Sequence, residues 1–461
     1  NEHFVPPANN HNITGEFDPT VHLFSGVNSV SLPGFAQVTD KLVFEATKQL
    51  SDKFPFNRHM NGGNHLGIGW MQSTVTHEGR RSSSAVSYLN DQVLRRKNLD
   101  VLIHAQVTRL ITTPHKIRDI HQVSARKAEF VMRGTTGPFH TVSAEHEVIL
   151  SAGSIGTPHI LHHSGIGDST FLKSIGISPI VNLPSVGRNL TDHPLVISSW
   201  RVNSTQTLDD LSRNETVLAQ ALKQWQEEKQ GPLVIQPITH AGFLRLGSEV
   251  LNQALQAAGL ENDPAASDRT PHIEIALAVS FDIKSFRNGG QVGELPLTGN
   301  FMTMATGVVS PVSRGSVLPS SSFPFDTPQI DVAFLDSEFD LIALKESVRS
   351  AAQFLSAPAW TDYVVEPFTI GLAEGLAHDG DEALTNYVRN RTVTFFHPVS
   401  TAAMSPNDAS WGVVDPDLKL KKVAGVRVVD ASVFPIIPAA HTQVPVYVIA
   451  ERAADLIKLK H

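Results

Sequence analysis

Histidine is the residue type on which chemistry can rest in this chain, and two of its 21 histidines stand in suggestive surroundings. His397 follows two phenylalanines in Phe395-Phe396-His397-Pro398-Val399-Ser400-Thr401, and His441 opens His441-Thr442-Gln443-Val444. A neutral imidazole, with an ordinary pKa of about 6.5, is a natural base for an alcohol hydroxyl at working pH. A second imidazole can hold the same hydroxyl. Phe395 and Phe396 offer rings that either fill a core or stack on an aromatic substrate. The sequence has no cysteine, which excludes disulfides, cysteine-ligated zinc, iron-sulfur clusters and thiol nucleophiles together. Any redox chemistry must then come from a bound organic cofactor. Other groupings carry less. Glu227-Glu228 and Asp209-Asp210 suit solvated faces, the side chains of His162 and His163 diverge if they lie on a helix, and Ser82-Ser83-Ser84 lacks the glycines of a nucleophile elbow. No set of metal ligands emerges.

The elements that must position these residues belong to a large molecule. A chain of 461 residues exceeds one ordinary core and suits two domains. Its 41% apolar and 18% charged residues fit a water-soluble globular protein, and no apolar run approaches the roughly 20 residues of a membrane span. With a net charge of -8 and no basic run longer than Arg95-Arg96-Lys97, nucleic acid is excluded as a partner class. Asn-x-Ser/Thr sequons at Asn12, Asn189, Asn203, Asn214 and Asn390 point to an extracellular, glycosylated protein.

Residues 1–72 are rich in Asn, Gly, Pro and His around one helical stretch at 39–50, and read as a covering segment. Residues 99–107 alternate and are β-branched, 128–132 form a shorter apolar run, and 147–150 lead into Ser151-Ala152-Gly153; all three read as strands. Helical spacing marks 206–229 and 338–355, and 273–279 reads as a strand. Near the end, 426–429 is a buried-type strand and 446–459 a helix with Lys and His near its negative end. The strands at 99–151 and 426–429 are both of the parallel-sheet type and are expected in one sheet, so the architecture is discontinuous.

The strongest string is Gly153-Ser154-Ile155-Gly156-Thr157-Pro158-His159-Ile160-Leu161-His162-His163-Ser164-Gly165-Ile166-Gly167, a strand giving way to a helix that ends at a glycine turn. Glycine there lets backbone amides approach a ligand, and a helix N-terminus favours an anion. Position by position it resembles the second signature of the glucose-methanol-choline oxidoreductases. Gly187-Arg188-Asn189-Leu190-Thr191-Asp192-His193, the Phe396–Thr401 segment, Val429-Asp430-Ala431-Ser432 and His441-Thr442-Gln443 follow in that family's order. The spacing of the two histidines resembles that of the aryl-alcohol oxidases within it.

The resemblance implies an α/β chain of mixed α+β character: the remainder of an FAD-binding domain (73–194 and 406–461), a substrate-binding domain of antiparallel sheet and helices (195–405), and the covering segment 1–72. It implies FAD-dependent oxidation of primary aryl or benzylic alcohols to aldehydes, with dioxygen reduced to hydrogen peroxide. His397 would take the hydroxyl proton, His441 would hold the alcohol oxygen, and Phe396 would line the substrate cavity. Val107, Asp430, Ala431, Thr442, Gln443 and Val444 would contact FAD, although Val444 stands where the aryl-alcohol oxidases have glycine. The partners are a small-molecule alcohol and dioxygen, with no nucleic acid and no membrane, and the protein is expected to be a monomer. Family members open with a βαβ unit whose G-x-G-x-x-G loop holds the FAD pyrophosphate. That motif occurs nowhere in these 461 residues, and Pro6–Asn12 already resemble a place well inside the family sequence. The stretch is therefore expected to bind FAD poorly by itself. Two rival readings follow from this: a non-catalytic chain without flavin, and a pyranose- or glucose-type sugar dehydrogenase or oxidase of the same family.

Overall fold

The computed structural model describes every residue except 10, 118–119, 237, 281–295, 378 and 461, with the side chains of 114–117 and 120–122 also set aside. The chain forms two compact units, each assembled from three stretches: Asn1–Val101, Pro194–Ser310 and Ser337–Thr394 in one, and Leu102–His193, Pro311–Asp336 and Phe395–His461 in the other.

In the first unit a six-stranded antiparallel sheet runs in the order Ile238–Leu244, Ile273–Ala278, Phe301–Val308, Pro194–Val202, Val364–Pro367, and Val393–Thr394 also pairs with Pro194–Val202. Ile273–Ala278 and Phe301–Val308 are buried at every position, Glu274, Thr303 and Thr306 included, in keeping with their mostly apolar character. Helix Glu338–Leu355 packs on these two strands. Its buried Leu341, Leu344, Val348, Ala351 and Leu355 recur at three- and four-residue spacing, and the Ser337 side chain caps its start by accepting from Phe339 N–H. The predicted helix at 39–50 is Thr39–Gln49. The one predicted over 206–229 is two, Asp210–Arg213 and Glu215–Glu228. Asn214 breaks it: its backbone is extended, and its side chain accepts from Thr216 and Val217 N–H to cap the second helix.

The second unit is built on the hairpin Ala105–Ile117 and Ile120–Met132, flanked by His140–Ser143 and Val423–Ala424. The strand expected over 99–107 thus begins only at Ala105. His104 takes φ +56°, outside extended geometry, and Leu102 and Ile103 before it stand exposed. Val148–Leu150 pairs parallel with Val426–Val428, Val426 opposite Val148 and Val428 opposite Leu150, in a two-stranded sheet of their own. The expectation of one sheet for 99–151 and 426–429 holds for these strands alone: Ala105–Ile117 and Ile120–Met132 pair antiparallel as a hairpin in a different sheet.

Helix Gly153–His163 follows the turn after Leu150. Gly153 takes φ +76°, a conformation suited to glycine, and its N–H donates to Asp430 Oδ2 at 2.9 Å. The Thr157 hydroxyl donates to the same oxygen at 2.6 Å, while Asp430 Oδ1 accepts from Ser432 N–H at 2.8 Å. Pro158 lies inside the helix and has no N–H for the Ser154 carbonyl four residues back. The Thr401 hydroxyl takes that place, donating to Ser154 O at 2.6 Å. Leu150, Ile160, Leu161, Val399, Val428 and Val433 share one buried apolar cluster here.

Four sequon asparagines, Asn12, Asn203, Asn214 and Asn390, are exposed, and Asn189 is half-buried. Among the described residues no helix is long and apolar enough to cross a membrane.

Two tests of stability follow. Arg427 is only 1% exposed; its Nε donates to Glu147 Oε1 and Oε2 at 2.9 and 3.0 Å, and its Nη1 to Asp417 O. Arg427→Ala leaves the Glu147 carboxylate, itself buried, with only Lys460 Nζ at 3.4 Å as a cationic partner among the described residues. The variant should lose about 3–5 kcal/mol in chemical denaturation; a loss below about 1 kcal/mol would show that the pair contributes little.

The second test is acid. Burial pushes the imidazole of His162 down to about 3 and that of His163 down to about 4. The unfolded chain takes up these protons near pH 6.5 and the folded chain only near 3–4, so their stabilising effect is complete above about pH 6.5 and is lost as pH falls below it. Between pH 7 and 4.5, hydrogen exchange corrected for intrinsic rate should therefore rise in Gly153–His163, and an unchanged rate there would contradict this assignment.

Candidate active site

The backbone around His397 is laced into the second unit from both sides. Phe395 N–H donates to His193 O at 3.1 Å, Thr191 and Val399 exchange N–H···O bonds at 3.2 and 2.8 Å, and Gly187 N–H donates to Thr401 O at 2.8 Å. Residues 187–193 thus run along 395–401. A little further on, Ala402 N–H donates to Ser432 O at 2.8 Å and Met404 N–H to Val433 O at 2.9 Å. Phe396 and Ser400 take φ of +59° and +75°, a left-handed backbone that costs a non-glycine residue of order 1 kcal/mol or more and persists only where the surroundings impose it.

Asp192 completes the bracket. Its Oδ1 accepts from His193 N–H at 2.7 Å and from His397 N–H at 3.0 Å. The two imidazoles then meet edge to face, with His193 Nδ1 and His397 Nδ1 at 3.0 Å. On its other side His397 faces His441, the ring centroids 5.0 Å apart and the planes inclined at 55°. Phe395 is buried and packs on both, 4.9 Å from the His397 ring and 5.1 Å from that of His441. Phe396, by contrast, is 52% exposed. Burial, then the neighbouring His193 and His441, push the His397 imidazole down to about 2. It stays neutral over the ordinary pH range, with a lone pair available to a hydroxyl.

The structure therefore brings His397 and His441 together from 44 positions apart in the sequence. His441 stands just before helix Gln443–Lys458, whose N-cap Thr442 makes no side-chain capping bond. Gln443 and Val444 in its first turn are exposed, Pro445 has no N–H, and Thr442 is half-buried. Val107 stands exposed on the hairpin strand and Ala431 is half-buried. Asp430 is buried, with both carboxylate oxygens engaged by Gly153, Thr157 and Ser432, so only its backbone is open to a ligand. Asp192 and His193 had no functional role in the sequence reading. Their signal was the Asp-His dipeptide closing the string at 187–193.

A flavin ring fits this donor set. The N-terminus of a 16-residue helix without a side-chain cap presents the positive end of its dipole beside His441. Val444 and Val448, one turn apart on that helix, expose apolar side chains. Among the described residues no group of three or more His, Asp or Glu is disposed to hold a metal.

Comparison with known proteins agrees with this arrangement. One family model, "GMC oxidoreductase", matches residues 34–195 through its N-terminal part and 311–450 through its C-terminal part. Dehydrogenase eriK of Hericium erinaceus is 40% identical over 464 residues, covering 100% of this chain and 74% of that protein. Pyranose dehydrogenase 3 of Leucoagaricus meleagris is 36% identical, covering 99% of this chain and 72% of its own length. Among solved structures, a formate oxidase of Aspergillus oryzae RIB40, in which FAD is modified, superposes with a TM-score of 0.84 at 26% identity, over 100% of this chain and 76% of that one. A fungal aryl-alcohol oxidase does so with a TM-score of 0.80 at 26% identity, over 100% and 77%. With both parts of one family model matched and a relative 40% identical along the whole chain, the protein belongs to the GMC oxidoreductases, whose cofactor is FAD.

Proposed function

We propose that this oxidoreductase converts a primary alcohol of the aryl or benzylic class to the aldehyde, with His397 as the base. The observation that carries the reading is the His397–His441 pair, 5.0 Å between centroids, with His397 Nδ1 already engaged by His193. Only Nε2 of His397 remains for a hydroxyl. Its lone pair takes the hydroxyl proton, and a nitrogen of His441 holds the same oxygen at roughly 2.6–3.2 Å. The chemistry that FAD supplies, when bound, is acceptance of a hydride from the alcohol carbon and reduction of dioxygen to hydrogen peroxide.

Burial keeps the His397 imidazole neutral, so its lone pair is not lost to a solvent proton before the alcohol binds. The exposed ring of Phe396 is a face on which an aromatic alcohol can stack, while the buried Phe395 packs against both histidine rings. Val107, Ala431, Thr442, Gln443 and Val444, with the backbone of Asp430, are proposed as the FAD contacts. The exposed sequons favour an extracellular, glycosylated protein, and we take it to act as a monomer.

A sugar-oxidising reading is kept beside this one because pyranose dehydrogenases are 36% identical to nearly the whole chain. One experiment separates them. Flavin-loaded enzyme should turn over benzylic alcohols faster than pyranoses, with hydrogen peroxide formed in step with the aldehyde. His397→Ala should reduce kcat/KM at least about 100-fold while the visible flavin spectrum is kept. Turnover of pyranoses with an artificial acceptor and none with dioxygen would favour the second reading, and an unimpaired His397→Ala would remove the base.

A further inference from the structure

Two imidazole Nδ1 atoms 3.0 Å apart cannot both carry a proton and cannot both lack one. One donates and the other accepts. If His193 is the donor, His397 is protonated on Nε2, and the nitrogen facing the site is a donor with no lone pair. If His397 is the donor, its Nε2 is free to take a proton. After proton uptake His397 carries N–H on both nitrogens, and its Nδ1–H then needs an acceptor, which His193 Nδ1 provides. Only the second arrangement serves the resting and protonated states without moving a proton within the pair. The geometry also favours a permanent contact: His193 is fully buried, and the two backbone N–H groups are held by one carboxylate oxygen of Asp192. Phe395 N–H bonded to His193 O adds a third tie.

We infer that His193 is a positioning residue that sets the tautomer of His397, accepting from its Nδ1–H so that Nε2 is the basic nitrogen. This rests on the reading of His397 as the base. Asp192 holds the two backbones in register, and His193 acts on the substrate solely through His397.

The test pairs a spectroscopic readout with turnover. In protein labelled with ¹⁵N-histidine, the His397 signals, identified by their loss in His397→Ala, should show the Nδ1–H tautomer. His193→Leu keeps bulk but removes the acceptor, whereas His193→Asn places an amide oxygen near the position of Nδ1. The Leu variant should shift His397 toward Nε2–H and lower kcat by about 10–100-fold, the range seen when the partner orienting an imidazole is removed. The Asn variant should restore the tautomer and most of the rate, with KM little changed in both. His397 found as the Nε2–H tautomer in the parent protein, or Leu and Asn variants alike in tautomer and rate, would overturn the inference. Because the tautomer is read without substrate, an inactive parent enzyme would count against the alcohol-oxidation reading alone.

Discussion

The constraint on which the candidate site depends is the Asp192 carboxylate. One of its oxygens receives backbone N–H groups from His193 and from His397, residues 204 positions apart. A carboxylate so used makes charge-assisted bonds of about 1.5–3 kcal/mol each, and a buried one that lost them would be left strongly destabilised. The ring contacts follow from that anchoring. With both backbones held to one oxygen, the imidazoles have little choice but to meet, and the left-handed backbone at Phe396 is the distortion that lets the segment turn there. Gly187 belongs to the same constraint. A Cβ at that position would lie 2.2 Å from Val317 O and 2.7 Å from His162 Cε1, so the string at 187–193 can pass only with glycine at its head.

Burial and contact act together on the chemistry. An isolated histidine in water is half-protonated near pH 6.5, which makes it a base and an acid in equal measure. Enclosing His397 among His193, His441 and Phe395 removes the solvation of its cation and adds two neighbours that would repel a second charge. What remains is a neutral acceptor of defined orientation. The same physics acts on His162 and His163, whose rings are enclosed by their own helix and its surroundings. Depressed basicity therefore does not single out His397; its position beside His193 and His441 does.

The regular elements were largely legible in the sequence. Helix 338–355 was read to the residue from its apolar spacing, and 147–150 and 426–429 share a sheet as expected, although the hairpin strands between 105 and 132 lie in another. Errors fell where one residue overrode a pattern. Asn214 splits an apparently continuous helix because its side chain prefers to cap, and His104 ends the extended path that the run 99–103 suggests. That His397 and His441 would adjoin was legible through their surroundings in the sequence. The Asp192–His193 bracket was not, since hydrogen bonds spanning about 200 residues leave no periodicity and no local spacing to read.

Several motif residues that look like ligand contacts turn out to be occupied in holding one another. Asp430 ties the start of helix Gly153–His163 through Gly153 and Thr157, and Thr401 supplies the hydrogen bond that Pro158 denies to Ser154. Thr401 lies four residues after His397, and Ser432, two after Asp430, accepts from Ala402 N–H. These bonds tie the segment that follows His397 to the start of helix Gly153–His163 and to the turn at 430–432. Such density accounts for the long, nearly uninterrupted signature strings: polar groups in them satisfy partners that the backbone, interrupted by glycine turns and a helical proline, cannot satisfy alone. Helix Gln443–Lys458, like helix Gly153–His163, has no side-chain bond from its N-cap residue, but its first turn is exposed at Gln443 and Val444 and follows His441 directly. An exposed helix start next to the histidine pair presents the positive end of a helix dipole where an electron-accepting ring gains negative charge.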